Sequence, residues 1–236
     1  MKVNRKVLLG LCLLVMGLGG CVDTKQVKGD DILTGFLGPS YSLLKPGKEG
    51  EANLVYMNPK AKWAQYDKIM LEAVSVWMGK GREGEGPGGV IPPEDLKRLA
   101  NLFYQKLSDQ LSQDYTLVQG SGPDVMRLSM ALTDVEHGMP FLDSVSTLMP
   151  VMTAGQEMAG KTYSFVGKAS VEGRIVDSRS GMLLGAGVDR RMGGKKFGKG
   201  TGFWRDAENI FDYWAAKIRW RLCQQRNGKN CIVPEE

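Results

Sequence analysis

The 236-residue chain carries 31 basic and 26 acidic side chains, a formal net charge of +5. Three of the basic residues, Lys2, Arg5 and Lys6, fall within the first twenty positions, and without them the balance drops to +2, which gives no ground for a nucleic-acid partner. The roughly 195 residues beyond position 40 suffice for one sizeable domain.

The chain opens with that short basic head, an apolar run from Val7 to Leu18, and two small residues, Gly19 and Gly20. This is the three-part layout of a secretory signal peptide. The run is shorter than the about 20 apolar residues that span a bilayer core, so it is not read as a permanent transmembrane helix. Leu18-Gly19-Gly20-Cys21 matches the lipobox of bacterial lipoproteins, in which a diacylglycerol is joined to the cysteine sulfur before cleavage on its amino side. Residues 1–20 are therefore expected to be a lipoprotein signal peptide and Cys21 the lipidated residue. Several acyl chains, at about 0.8 kcal/mol per buried methylene, hold a protein durably on a membrane. Val22 stands where an inner-membrane retention signal would place aspartate, although Asp23 follows it. The expected location is the outer membrane, lipid-anchored, on the periplasmic side. Residues 21–40 are polar with scattered Gly and Pro and read as a lipidated flexible tether, leaving 41–236 as a single periplasmic domain.

Residues 79–93 are rich in Gly, Pro and charge and read as a loop. From Pro93, Leu96, Leu99, Ala100, Phe103, Leu107 and Leu111 recur at helical spacing, with Glu94 and Asp95 in the first turn where the helix dipole favours them. A short strand over Tyr115–Gln119 follows, then a turn and a partly alternating stretch, Val125–Val135. Residues 139–162 are apolar and Met-rich without a clean period. Beyond them Ala169, Val171, Gly173 and Ile175 alternate, the chain turns at Asp177–Gly181, and Leu183–Val188 returns as a hairpin. The last element, Phe203–Gln224, sets Ala207, Ile210, Phe211, Trp214, Ile218 and Leu222 on one helical face, with Trp220 off that stripe. This order predicts an α+β fold, an antiparallel sheet of about four to five strands packed against two amphipathic helices.

Candidate chemistry is sparse. Gly79-x-Gly81-x-x-Gly84 spells a dinucleotide motif, but no helix opens after its last glycine. Gly193 to Thr201 approaches a phosphate-binding loop, yet Gly200 occupies the place of the magnesium-binding hydroxyl. A basic loop is the simpler reading, with anion or lipid-headgroup contact through Lys195, Lys196 and Lys199 as the alternative. No G-x-S-x-G or H-E-x-x-H motif occurs, and the single histidine, His137, cannot build a multi-histidine metal site. We therefore expect no cofactor, no metal and no catalytic residue. Of the four cysteines, Cys223 and Cys231 remain as a pair once Cys12 is discarded and Cys21 is lipidated. In an oxidising compartment they are expected to form a disulfide around the Asn-Gly turn of CQQRNGKNC.

One stretch carries a resemblance. Tyr41-Ser42 with Leu44 and Gly47, Leu54-Val55-Tyr56, Asn58-Pro59, Trp63, Tyr66-Asp67-Lys68, Met70-Leu71 and Val76-Trp77 look like the opening of a family of Gram-negative lipoproteins known as domain of unknown function 3313. The resemblance continues through Gly122-Pro123, Arg127, Ala131 to Asp134, and the hairpin with Gly173 and Gly181. It implies a lipidated envelope protein with no assigned reaction or cofactor. The residues themselves suggest that Trp63, Tyr66 and Met70 share one face of a short helical turn, followed by a strand over Val74–Trp77. Asp67 and Lys68, being adjacent, would find ion-pair partners elsewhere. Two readings stay open for this cluster: a packed segment pinning the first strand, or a partner or ligand surface formed by Trp63, Tyr66, Asp67 and Lys68.

The resulting functional expectation is a non-enzymatic accessory or assembly factor of the cell envelope with an envelope-protein partner. The alternative is a binding protein for a lipid or other amphiphile, which an apolar cleft would favour.

Overall fold

The computed structural model describes residues 24–27, 34–77, 85–86, 89–135, 168–193 and 203–235. In chain order its strands are β1 (Thr24–Gln26), β2 (Lys45–Pro46), β3 (Leu54–Met57), β4 (Lys68–Leu71), β5 (Ser75–Val76), β6 (Glu85–Gly86), β7 (Gly89–Val90), β8 (Thr116–Leu117), β9 (Val125–Val135), β10 (Lys168–Asp177) and β11 (Leu183–Gly193). Helix α1 (Pro93–Leu111) lies between β7 and β8, and α2 (Phe203–Gln225) follows β11. Two 3-10 helices, Gly38–Leu43 and Trp63–Gln65, complete the set.

Three long strands, β9, β10 and β11, form an antiparallel centre. Short strands border it: β3 and β1 share the outer edge of β11, while β4 and β5 share that of β9. The sheet therefore holds nine strands among the described residues and is mixed, because β4 and β5 run parallel to β9. This corrects the expected four to five antiparallel strands. The edge strands have two to four residues each, too few to show a two-residue period, and tertiary pairing rather than local propensity makes them strands.

The hairpin expected around Asp177–Gly181 is present. Asp177 Oδ1 accepts from the amides of Arg179 and Ser180 at 3.1 and 2.7 Å, and Gly181 takes φ +70°, a backbone conformation favouring a residue without Cβ. Both long helices lie on one face. Leu99, Ala100, Phe103, Leu107 and Leu111 of α1 are buried, and Phe103 stacks on Phe211 of α2 with centroids 4.8 Å apart. These helices cover Met126, Leu128, Met130 and Leu132 of β9 and Ala169 and Val171 of β10. Cys223 and Cys231 are bonded to each other at the C-terminal end of α2.

The segment expected to be a tether is built into the fold in part. Thr24 is buried, β1 pairs with the end of β11, and Leu37 is buried against Ala186 and Val188 on the sheet face away from the helices. Its apolar residues have sheet surface to cover, and its backbone completes the edge left open beyond β3. The expected loop over 79–93 contributes the β6–β7 pair and the buried Ile91.

Candidate functional site

The two strands of the hairpin meet with small residues opposite each other. Gly173 faces Gly187 across the β10–β11 ladder, and Ile175 faces Gly185. Without side chains there, the helix-facing surface sinks below α2. A cleft of about 140 Å³ results, with the glycines as floor, Met57, Met130 and Ile175 along its sides, and Tyr213, Trp214 and Ile218 of α2 above. Cβ atoms added at Gly173 and Gly185 would lie 2.4 and 3.1 Å from the sulfurs of Met130 and Met57, so a side chain at either glycine would displace the thioethers that line the cleft.

Charge is confined to two places on this cleft. Where it meets solvent, Glu51 pairs with Arg221 while Lys217 lies 4.5 Å from the Trp220 ring and 5.5 Å from that of Tyr213. At its inner side is Asp189, buried, whose Oδ1 accepts from Gln26 at 2.7 Å and from the Asn53 amide at 3.2 Å. Its Oδ2 accepts from the Trp214 indole at 2.8 Å. Arg191, also buried, brings Nη1 to 4.0 Å from Asp189 and sets its Cζ over the Tyr213 ring, 3.6 Å from the centroid. Burial pushes the Asp189 carboxyl above the ordinary carboxylate range, against the pull of Gln26, Trp214 and Arg191. A charge pair here is held by hydrogen bonds on nearly every side, the condition under which buried charge is tolerated.

The aromatic cluster near position 66 divides. Trp63 and Tyr66 are buried in the main core, so they do not form the candidate surface. The Tyr66 hydroxyl donates to Asp177 Oδ2 at 2.9 Å, and burial, then this carboxylate, raises its pKa. Asp67 and Lys68 do reach solvent. Lys68 sits in a strand and pairs with Asp124 and, at 3.3 Å, with its neighbour Asp67. Asp124 first and Asp67 second raise the Lys68 pKa. Asp67 lies just before β4, and the long Lys68 side chain reaches both its carboxylate and that of Asp124.

Cys21, His137, the Met-rich stretch 139–162, Gly79 to Gly84, and Lys195, Lys196 and Lys199 lie outside the described residues. Among the described residues no group of three or more His, Cys, Asp or Glu could hold a metal ion, and no helix is long and apolar enough to cross a membrane.

A family model described as Protein of unknown function (DUF3313) matches residues 33–218. The chain belongs to that family. A search of curated proteins finds no match. Among solved structures, this family member is similar to the PelC dodecamer from Paraburkholderia phytofirmans, with 11% identity, 75% of this chain and 96% of that chain covered, and a TM-score of 0.37. It is similar also to a candidate lipoprotein from Caulobacter crescentus, with 15% identity, 71% and 94% covered, and a TM-score of 0.33. A DUF4136 family protein from Bacteroides thetaiotaomicron shows 8% identity, 70% and 94% covered, and a TM-score of 0.32.

Sequence reasoning missed the cleft and the Asp189–Arg191 pair. A signal for both was present: Gly185, Gly187, Asp189 and Arg191 occupy every second position of one strand. Glycine repeated on the inward face of a strand marks close approach or open space, and polar residues continuing that face mark a buried network.

Proposed function

We propose that this protein is a lipoprotein of the outer membrane, anchored on the periplasmic side through Cys21, that binds an amphiphile by its apolar part. The cleft beneath α2 carries this reading. Its volume of about 140 Å³ is close to that of an engineered apolar cavity that admits benzene, about 150 Å³, and below the 300 Å³ or so at which pockets begin to enclose drug-sized ligands. It suits one ring or a short stretch of acyl chain. Burying about five methylenes at 0.8 kcal/mol each yields roughly 4 kcal/mol, a Kd near 1 mM. Tighter binding requires the polar head as well, and Lys217 and Arg221 stand where an anionic head would lie. The role is binding without catalysis, in keeping with a sequence lacking nucleophile and metal motifs.

The test is a titration of hexyl phosphate followed by methyl NMR of Met57 and Met130, which line the cleft. Both resonances are expected to shift saturably, and Ile218→Trp, which fills the cleft from α2, to abolish the shift. Unmoved methyls up to about 10 mM, a binding energy below roughly 3 kcal/mol, would sink the amphiphile reading.

A second reading, the accessory factor of the envelope, draws on a different observation. The tail beyond the disulfide exposes Ile232 and Val233, 74% and 59% accessible, beside an open polar groove of about 710 Å³ lined by Trp220, Arg226 and Lys229. Exposed apolar residues rimmed by charge suit a protein partner. A photo-crosslinker at Ile232 is expected to capture one abundant envelope protein from native membranes, with capture reduced in Cys21→Ser. Capture of no protein would remove this reading.

A further inference from the structure

The distance from lipid to fold is set by three residues. Cys21 precedes Thr24 by three positions, and a chain extends at most about 3.6 Å per residue, so the anchor lies within about 11 Å of a fixed point on the domain. Thr24 is such a point. It is 1% exposed, its hydroxyl accepts from Arg191 Nε at 3.0 Å, and its carbonyl accepts from Arg191 Nη2 at 3.1 Å. The strand is held along its whole length. Gln26 donates to Asp189 at 2.7 Å and to the Glu51 carbonyl at 2.8 Å, the Val27 amide donates to the Arg190 carbonyl at 2.9 Å, and Asn53 donates to the Val27 carbonyl at 2.8 Å.

This leash is short against the domain. Strand β11 spans eleven residues from Leu183 to Gly193, about 33 Å at 3.3 Å per residue, and β1 pairs with its last three. Helix α2 begins at the same end, since a Cβ at Gly193 would meet Asp206 at 3.2 Å. Over 23 residues it runs about 34 Å away, toward the disulfide. A leash of about 11 Å cannot let the domain stand on its far end while Thr24 stays paired, because that would lift Thr24 about 33 Å from the bilayer.

The near end has a matching charge. Lys25, Met192 and Lys168 stand in one row across β1, β11 and β10, with Lys25 exposed and Lys168 half-buried. Two ammonium groups flanking a methionine at the anchored edge complement phosphate headgroups. We propose that the domain rests directly on the lipid surface, with the row of Lys25, Met192 and Lys168 against the headgroups. The disulfide-bonded end of α2 then points away. This rests on the lipid anchor at Cys21 and is independent of the cleft.

The experiment uses the full-length lipidated protein in vesicles of phosphatidylglycerol and phosphatidylethanolamine. With Cys21 acylated and Cys223 bonded to Cys231, an introduced cysteine is the reactive thiol of the mature chain. A dye at Met192→Cys is expected to be quenched severalfold more strongly by a headgroup spin-labelled lipid than one at Arg179→Cys, in the exposed far turn. Inserting twenty Gly and Ser residues between Cys21 and Thr24 should erase the difference. Equal quenching at the two sites in the unextended protein, with acyl mass found on the N-terminal peptide, overturns the orientation and leaves the anchor standing. An N-terminal peptide without acyl mass, from protein that stays off the vesicles, overturns both.

Discussion

Replacing Arg191 with Met keeps an unbranched, flexible stem and removes the guanidinium and its charge from a site that is 1% exposed. The guanidinium holds Thr24 through two hydrogen bonds, faces Asp189 at 4.0 Å and covers Tyr213. Breaking a buried pair from one side costs about 3 to 5 kcal/mol, because the remaining charge is left uncompensated. Asp189 retains donors in Gln26, Asn53 and Trp214, which places the expected loss toward the lower figure, near 3 kcal/mol, out of a total stability of roughly 5 to 15. The pH dependence identifies the cause. Losing Arg191 moves the already raised Asp189 pKa further up, so the variant gains more than the parent when that carboxyl takes a proton, and the difference between them should shrink as pH falls through the folded Asp189 values. Adding Asp189→Asn should recover about 1 to 2 kcal/mol, within the usual range of coupling between contacting residues. Urea unfolding over a series of pH values measures this. A loss below about 1 kcal/mol, against the about 3 expected for a broken buried pair, or a loss independent of pH, would refute the argument that Arg191 compensates Asp189.

Other outcomes follow from the same structure. Replacing both Cys223 and Cys231 with Ser should lower stability by about 2 to 3 kcal/mol on the loop-entropy estimate, seen as a lower urea midpoint that reductant reproduces in the parent. Phe103→Ala, which removes the ring stacked on Phe211, should cost about 3 to 5 kcal/mol, measured by the same unfolding. Acid should destabilise the domain below about pH 4.5. Hydrogen bonds from Ser180 to Asp177, the Lys68 ammonium at Asp124, and the Lys48 amide followed by Arg221 at Glu51 hold these carboxyls below their ordinary values. Their contribution is complete above the unfolded values and is lost as pH falls through the folded ones. Asp189, shifted upward, opposes this trend above its unfolded value, so a stability that rises from pH 4 to pH 2 would contradict the assignment.

The two helices, the hairpin and the disulfide were legible in the sequence because each is a local signal. The stripe from Leu99 to Leu111 repeats at helical spacing, Asp177 and Gly181 carry the chemistry of their turn, and Cys223 and Cys231 are separated by a short loop. The cluster Trp63, Tyr66, Asp67 and Lys68 shows where that legibility stops. Its composition fits either core or surface, and only the packing of β4 beside β9 buries Trp63 and Tyr66 while leaving Asp67 and Lys68 in water. The pairing of β3 with β11, the docking of Thr24, and the meeting of Met57 with Gly185 in the cleft depend on residues more than a hundred positions apart, and β4 and β5 reach β9 across more than fifty. Sequence periodicity reports which face a segment will bury; which neighbour covers that face, and where glycine leaves it uncovered, is decided by long-range pairing that no local window contains.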